Sequence, residues 1–235
     1  MSKGKLFLIP TELGEGATHP IPIYVVEKIH DLRFFIAERA KTARHFIKST
    51  KPPYPISDLT VMELNKRVDT QEKKSFLKPL LEGKDVGLVS EAGCPGIADP
   101  GAEIVKMAHE RGIEVHPLVG PSSILLALMG SGMNGQSFAF QGYLSAKKPQ
   151  LSSDLKKMEQ LSAKHRQTQI FIETPYRNNG FVETALSALS PNTRFCIACD
   201  LTLSSQYIVT KTIANWRKSE LPDLHKRPTV FLILV

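Results

Sequence analysis

The sequence predicts an α/β protein of two domains, and three observations carry that reading. Short apolar runs alternate with segments of helical period along nearly the whole chain. Two of the helical segments carry clean apolar stripes, Leu151, Leu155, Met158 and Leu161 in one, Phe181, Val182, Ala185, Leu186 and Leu189 in the other. The rhythm then changes near "HPLVGPSSILL". Before it, strand and helix alternate strictly. After it, runs such as Phe195 to Asp200 and Tyr207 to Ile213 lie close enough in sequence to pair antiparallel. The strand candidates are, in order, Lys5 to Ile9, Arg33 to Ala37, Asp85 to Val89, Glu114 to Val119, Phe138 to Gly142, Thr168 to Ile172, Phe195 to Asp200, Tyr207 to Ile213 and Thr229 to Val235. They exceed what one small sheet holds. The expectation is an N-terminal α/β domain over 1–119 and a C-terminal α/β domain with a mixed sheet over 120–235, with a ligand cleft between them.

Composition excludes several classes. At 235 residues the chain is long enough for two domains with cores of their own, and no uninterrupted apolar run approaches the roughly 20 residues of a membrane span. The start, "MSKGKLFLIP", has too short an apolar stretch for a signal peptide, so a cytoplasmic protein is expected. Thirty Lys plus Arg against 23 Asp plus Glu give a net charge of +7, which allows a polyanionic partner without demanding one. Three cysteines do not make a disulfide framework. Cys196 and Cys199 in "FCIACD" have redox or metal spacing, but in a strand residues three apart point to opposite faces. With no second pair and no histidine spacing of the right kind, no metal is expected.

"GSGMNG", Gly130 to Gly135, matches a dinucleotide fingerprint in letters only. That fingerprint needs a strand before it and a helix after it, whereas here a helical run precedes and a strand-like run follows. The glycines are read as ending a helix. The turns at strand ends are more informative: "IPTELGEG", "SEAGCPGIADPG", "VGPSS" and "IETPYRNNG". Each leaves a strand with residues that permit close backbone approach, and open α/β sheets bind ligands at such ends.

Taken in order, "LFLIPTELG", "VGLVSEAGCPGIADPG", "VHPLVGPSSILLALMGSG", "FAFQGYLSAKK", "IFIETPYR", "CDLT" and "KRPTVFLILV" resemble the tetrapyrrole methylase superfamily over nearly the whole chain. Within it the set is most similar to the branch that 2'-O-methylates a cytidine of 16S ribosomal RNA in the small subunit. The resemblance implies S-adenosyl-L-methionine as methyl donor, two α/β domains with the donor between them, a homodimer and an RNA acceptor. Carried over position by position, it assigns donor binding to Pro10, to Gly93, Cys94 and Ile97, to Ser137 and Phe138, to Glu173 and Thr174, to Leu201 and Thr202, and to Pro228 and Thr229. The chain departs from the branch where "PT" lacks a following Gly-Asn, where "MELNKRVDTQEKK" lacks a His-Asn pair, where "KRPT" replaces Lys-Gly-Glu, in having Glu91 where Asp is usual, and in ending at Val235 without a small C-terminal domain. Donor binding is expected to survive these changes, while the acceptor stays open between RNA, a tetrapyrrole and another small molecule. A protein that holds the donor without catalysis is the remaining alternative.

If the acceptor is a ribose hydroxyl, a base must take its proton. Glu91 is the first candidate and Asp200 the second, with Arg177 placed to hold a phosphate or carboxylate of the acceptor. The competing structural reading makes Glu91 and Asp99 caps of their turns and leaves Arg177 in solvent.

Overall fold

A computed structural model of the chain describes residues 2–17, 21–64 and 69–235. The chain divides into two compact units, Met1–Ser122 and Ser123–Val235.

In the first unit, strands β1 (Leu6–Ile9), β2 (Phe34–Ala37), β3 (Thr60–Glu63), β4 (Val86–Val89) and β5 (Val115–Pro117) form one parallel sheet in the order β3-β2-β4-β1-β5. Helices α1 (Ile23–Asp31) and α2 (Ala40–Ser49) belong to one face. On that face Phe7 and Ile9 pack with Val25, Ile29, Phe35 and Ile47. Leu6, Ile36, Val86 and Leu88 point to the other face, toward α3 (Thr70–Ser75), α4 (Lys78–Leu81) and α5 (Gly101–Glu110), among Phe76, Leu80, Ile104 and Met107. Burial on both faces is why these strands read as unbroken apolar runs. Each fully buried side chain of this size contributes about 1.5–3 kcal/mol. Gly87 fits the same logic, since a Cβ there would come within 2.6 Å of Ile9 Cδ1 and 2.8 Å of Phe35 Cδ1.

β3 is not among the strands expected from the sequence. This edge strand is only half buried, and its "TVME" begins and ends on exposed residues, so it lacks the apolar run that marks its neighbours.

In the second unit the order is β6-β7-β10-β8-β9, from β6 (Phe138–Tyr143), β7 (Thr168–Ile172), β8 (Arg194–Cys199), β9 (Tyr207–Thr212) and β10 (Thr229–Leu234). β6 and β7 are parallel, β10 runs antiparallel to both β7 and β8, and β8 pairs antiparallel with β9. The sheet is mixed. Helices α7 (Lys148–His165), α8 (Asn178–Ala188) and the short α9 (Ile213–Trp216) contribute to the main core. Leu151, Leu155 and Met158 of α7 meet Phe171, Phe195 and Phe231 there, with Phe181 stacked on Phe231 at 4.5 Å between ring centres. Trp216 Nε1 donates to Phe195 O at 2.8 Å, which satisfies the one polar atom of a fully buried indole.

Cys199 lies in this core and Cys196 does not, so the two thiols point to opposite faces of β8. Burial pushes the Cys196 thiol up to about 11. Helix α6 (Ser123–Ser131) packs against β8, β9 and β10, and Gly130 admits Ile208 where a Cβ would lie 2.8 Å from its Cδ1. Gly132, at φ +66°, follows the last turn of α6 and the chain proceeds to β6, so "GSGMNG" ends a helix. Among the described residues no helix is long and apolar enough to cross a membrane.

Candidate donor and acceptor sites

Because the first sheet is wholly parallel, every turn leaving the carboxyl end of a strand lies along one edge. β1 is flanked by β4 and β5, so three of the quoted turns are neighbours. The chain leaves β1 toward β2 and leaves β4 toward β5, in opposite directions across the sheet, the arrangement that opens a ligand crevice at strand ends.

Backbone bonds tie these turns together. Thr11 N donates to Gly93 O at 3.0 Å and Gly93 N returns a bond to Thr11 O at 3.2 Å. Ser90 Oγ donates to Gly93 O, and Cys94 Sγ reaches Pro121 O at 3.4 Å. Gly93 has φ +74°, a conformation that only glycine adopts cheaply. A Cβ on it would lie 3.0 Å from Leu13 Cδ2 and 3.3 Å from Pro121 O. Closer still is Gly120, where a Cβ would fall 2.2 Å from Cγ of Pro10. Pro10, Gly93 and Cys94 are thus brought together. To them the structure adds Gly120 and Pro121, whose "VGPSS" motif is visible in the sequence although no residue of it was nominated.

The acids on this edge separate into two roles. Asp99 Oδ1 accepts from Gly96 N at 2.7 Å and Gly101 N at 2.8 Å, so it closes the loop and starts α5. Burial raises its carboxyl above the usual range, against those two bonds. The structural reading therefore holds for Asp99. It does not hold for Glu91, whose carboxylate makes no hydrogen bond or ion pair among the described residues, and which is only partly buried. Burial raises the neighbouring Cys94 thiol above the usual range. Ile97 keeps 53% of its surface exposed on the same loop.

In the second unit the assembly has a different cause. β10 is antiparallel between β7 and β8, so its amino end lies beside their carboxyl ends. Glu173 and Thr174 after β7, Asp200, Leu201 and Thr202 after β8, and Pro228 and Thr229 opening β10 therefore share one end of the sheet. Asp200 N donates to Pro228 O at 2.9 Å. Asp200 and Thr202 both have positive φ, +49° and +74°, and for β-branched Thr202 that is a strained conformation held by its surroundings. Thr202 Oγ1 is buried here without a hydrogen-bond partner, as is Asn178 Oδ1.

Two nominated polar residues are committed. The nearly buried Asp200 carboxylate accepts from Arg227 Nε at 2.8 Å and from Ser205 Oγ at 2.8 Å, which makes it a counter-ion rather than an available base. Arg177 does not lie free in solvent: its Nη2 is paired with the buried Glu173 carboxylate, which also accepts from Thr174 N at 2.6 Å. Its side chain remains 44% exposed and only Nη2 is engaged among the described residues, so part of its donor fork is open.

Ser137 and Phe138 are not brought to this end. Phe138 pairs with Thr168 at the start of β7, and Thr168 N donates to Ser137 O at 3.0 Å, so both lie at the opposite end of the sheet from Glu173. Residues 65–68 of "MELNKRVDTQEKK" and residues 18–20 of "PTELGEGATHP" lie outside the described residues.

In architecture the chain is similar to solved methyltransferases. The crystal structure of the methyltransferase CobJ matches with TM-score 0.62 at 18% identity, covering 98% of this chain and 94% of that one. The cobalt precorrin-4 methyltransferase CbiF matches with TM-score 0.61 at 16% identity, covering 98% of this chain and 94% of that one. These likenesses define the class of fold. The family described as tetrapyrrole (corrin/porphyrin) methylases matches residues 13–216, and the chain belongs to that family.

Among curated proteins it is similar to the ribosomal RNA small subunit methyltransferase I of Buchnera aphidicola, 28% identical over 98% of this chain and 78% of that protein. The protein of the same name from Vibrio cholerae is 29% identical over 89% of this chain and 69% of its own length. That from Thermotoga maritima is 29% identical over 74% of this chain and 73% of its own. The chain is accordingly an S-adenosyl-L-methionine-dependent methyltransferase.

The residues present fit that donor. The edge built by residues 10–17, 90–101 and 118–122 contains Glu12, Glu15, Glu91 and Asp99 and no lysine or arginine, which suits a cationic sulfonium. Close-packed glycines on this edge leave backbone groups approachable.

Proposed function

We propose that this chain is a cytoplasmic homodimer that transfers a methyl group from S-adenosyl-L-methionine to a ribose 2'-hydroxyl of ribosomal RNA in the small subunit. The observation that carries the reading is the state of Glu91. Of the three acids considered, Asp99 closes its own loop and Asp200 pairs with Arg227, whereas the Glu91 carboxylate is uncommitted on the lysine-free edge. When bound, the donor supplies an electrophilic methyl carbon on sulfur. Pro10, Gly93, Cys94 and Ile97 hold and orient it together with the Gly120–Pro121 turn. Glu91 takes the proton of the attacking hydroxyl, and the open part of the Arg177 guanidinium holds a phosphate of the acceptor.

The names of the curated relatives support an RNA acceptor, as does a basic groove on α2. Lys41, Arg44, His45 and Lys48 line it with Thr42 and Ile56, about 800 Å³ in all, and the positions fall on one side of the helix. None of the four pairs with a carboxylate among the described residues. Such a face attracts a phosphate backbone. The exposed apolar side chains Met129, Phe138 and Tyr143 of the second unit support a second copy as partner.

Incubation of the purified chain with labelled donor and undermethylated small ribosomal subunits tests the reading. Label in 2'-O-methylated nucleoside after digestion is the expected result. Label transferred only to an added tetrapyrrole, or to nothing, would overturn it.

A further inference from the structure

We propose that Tyr176 is a stacking platform for an unpaired nucleobase of the acceptor RNA, an inference that rests on the RNA reading above and names how that site grips its substrate. Tyr176 follows Glu173 and Thr174 at the carboxyl end of β7 and keeps 71% of its surface exposed, more than any other described aromatic residue among the exposed large hydrophobics. A ring of this size normally buries itself.

The surrounding contacts hold this one outward. Arg177 N donates to Thr174 O at 2.9 Å, and the next side chain is locked by the Arg177–Glu173 pair, so the turn carrying Tyr176 has a fixed shape. Lys226 N donates to Pro175 O at 3.1 Å, which pins the segment before β10 against the same turn. The His225 ring stands edge-on to Tyr176 at 5.8 Å and 75°, and Lys226 Nζ lies 5.9 Å from the ring centre.

The charge around the ring favours a polyanion bearing bases. Arg227 and Arg177 have carboxylate partners in Asp200 and Glu173, while Lys226 has none among the described residues. An exposed aromatic ring beside an ammonium without a carboxylate partner and an open guanidinium edge is the pairing that binds single-stranded nucleic acid, where the base stacks and the cations meet the phosphates. A nucleotide in a single-stranded loop carries an unstacked base, and such a base stacks on an aromatic ring.

Anisotropy of a short labelled single-stranded oligocytidylate with the full chain, at one fixed salt concentration, reads the platform directly. Tyr176→Ala is expected to bind about tenfold more weakly and Tyr176→Phe within about twofold, because stacking needs the ring and not the hydroxyl. In a separate series of titrations across salt concentrations, Lys226→Ala is expected to flatten the dependence on salt by about 0.7 unit in slope. Unchanged melting temperature and unchanged binding of S-adenosylhomocysteine check that Tyr176→Ala is folded. Equal RNA binding by Tyr176→Ala and the native chain overturns the platform, as does failure of the native chain to bind the oligonucleotide. So does a change in sedimentation mass with RNA binding intact, which would assign the ring to a protein contact. If the native chain binds RNA through Tyr176 but methylates none, the acceptor reading fails and the platform stands.

Discussion

The two units gather their functional turns by opposite means. In the first, a parallel sheet sends every strand–helix turn to the same edge, and neighbouring β1, β4 and β5 need only be adjacent for Pro10, Gly93 and Pro121 to meet. In the second, one antiparallel strand does the gathering, since β10 between β7 and β8 sets its amino end beside their carboxyl ends. The difference shows in the bonds. The first edge is held by backbone contacts at glycines and keeps its Glu91 carboxylate uncommitted, whereas the second is held by ion pairs, Asp200 with Arg227 and Glu173 with Arg177. Chemistry is thus assigned to the first and rigid positioning to the second.

Exchanging Glu91 for Gln breaks the contrast most severely. Transfer to RNA is expected to fall by about 10²–10⁴-fold, the usual worth of a general base, while calorimetry finds donor binding unchanged. Asp200→Asn is expected to act differently, through stability rather than through the pH dependence of the rate. Arg227→Ala would leave the Asp200 carboxylate buried without its partner and is expected to cost about 3 kcal/mol in denaturant melts, at the low end for a broken buried pair because the guanidinium is partly exposed.

Thiol labelling sharpens the same comparison at smaller scale. Partly buried Cys94 is expected to react with iodoacetamide in the native chain faster than Cys196, whose thiol is raised to about 11, and peptide mapping after a timed pulse checks the order. Bound S-adenosylhomocysteine is expected to slow Cys94 alone. Ser137→Ala, at the other end of the second sheet, is expected to change donor affinity by no more than about twofold, which a calorimetric titration resolves.

Much of the fold was legible because burial on both faces writes itself into sequence. The nine apolar runs each correspond to a strand, and the stripe of Leu151, Leu155 and Met158 marks α7. Edge strand β3 was not legible, since a half-exposed strand has no reason to be continuously apolar. The site divides in the same way. Turns at the ends of parallel strands are recognisable one by one, whereas Pro10, Gly93 and Cys94 are assigned to the donor through the family resemblance of the motifs that carry them. The commitment of Asp99 to two backbone amides, and of Asp200 to an arginine 27 positions away, depends on folded geometry and leaves no local signal. Ser137 and Phe138, assigned to the donor by the resemblance, stand at the opposite end of the second sheet from Glu173, which only the pairing of β6 with β7 reveals.

The central claim is that the donor is held on the carboxyl edge of the first sheet, and two glycines at opposite ends of β1 test it most directly. Gly120 meets Pro10 beyond the carboxyl end, and Gly4 before the amino end would set a Cβ 2.0 Å from Lys84 O. Both Gly120→Ala and Gly4→Ala force the backbone to shift and are expected to lower the melting temperature. Calorimetry with S-adenosylhomocysteine, at a temperature where both variants are folded, separates the two ends. Binding weakened by tenfold or more in Gly120→Ala and held within about twofold in Gly4→Ala is the expected result; equal affinity in the two variants, or loss confined to Gly4→Ala, would contradict a donor site on that edge.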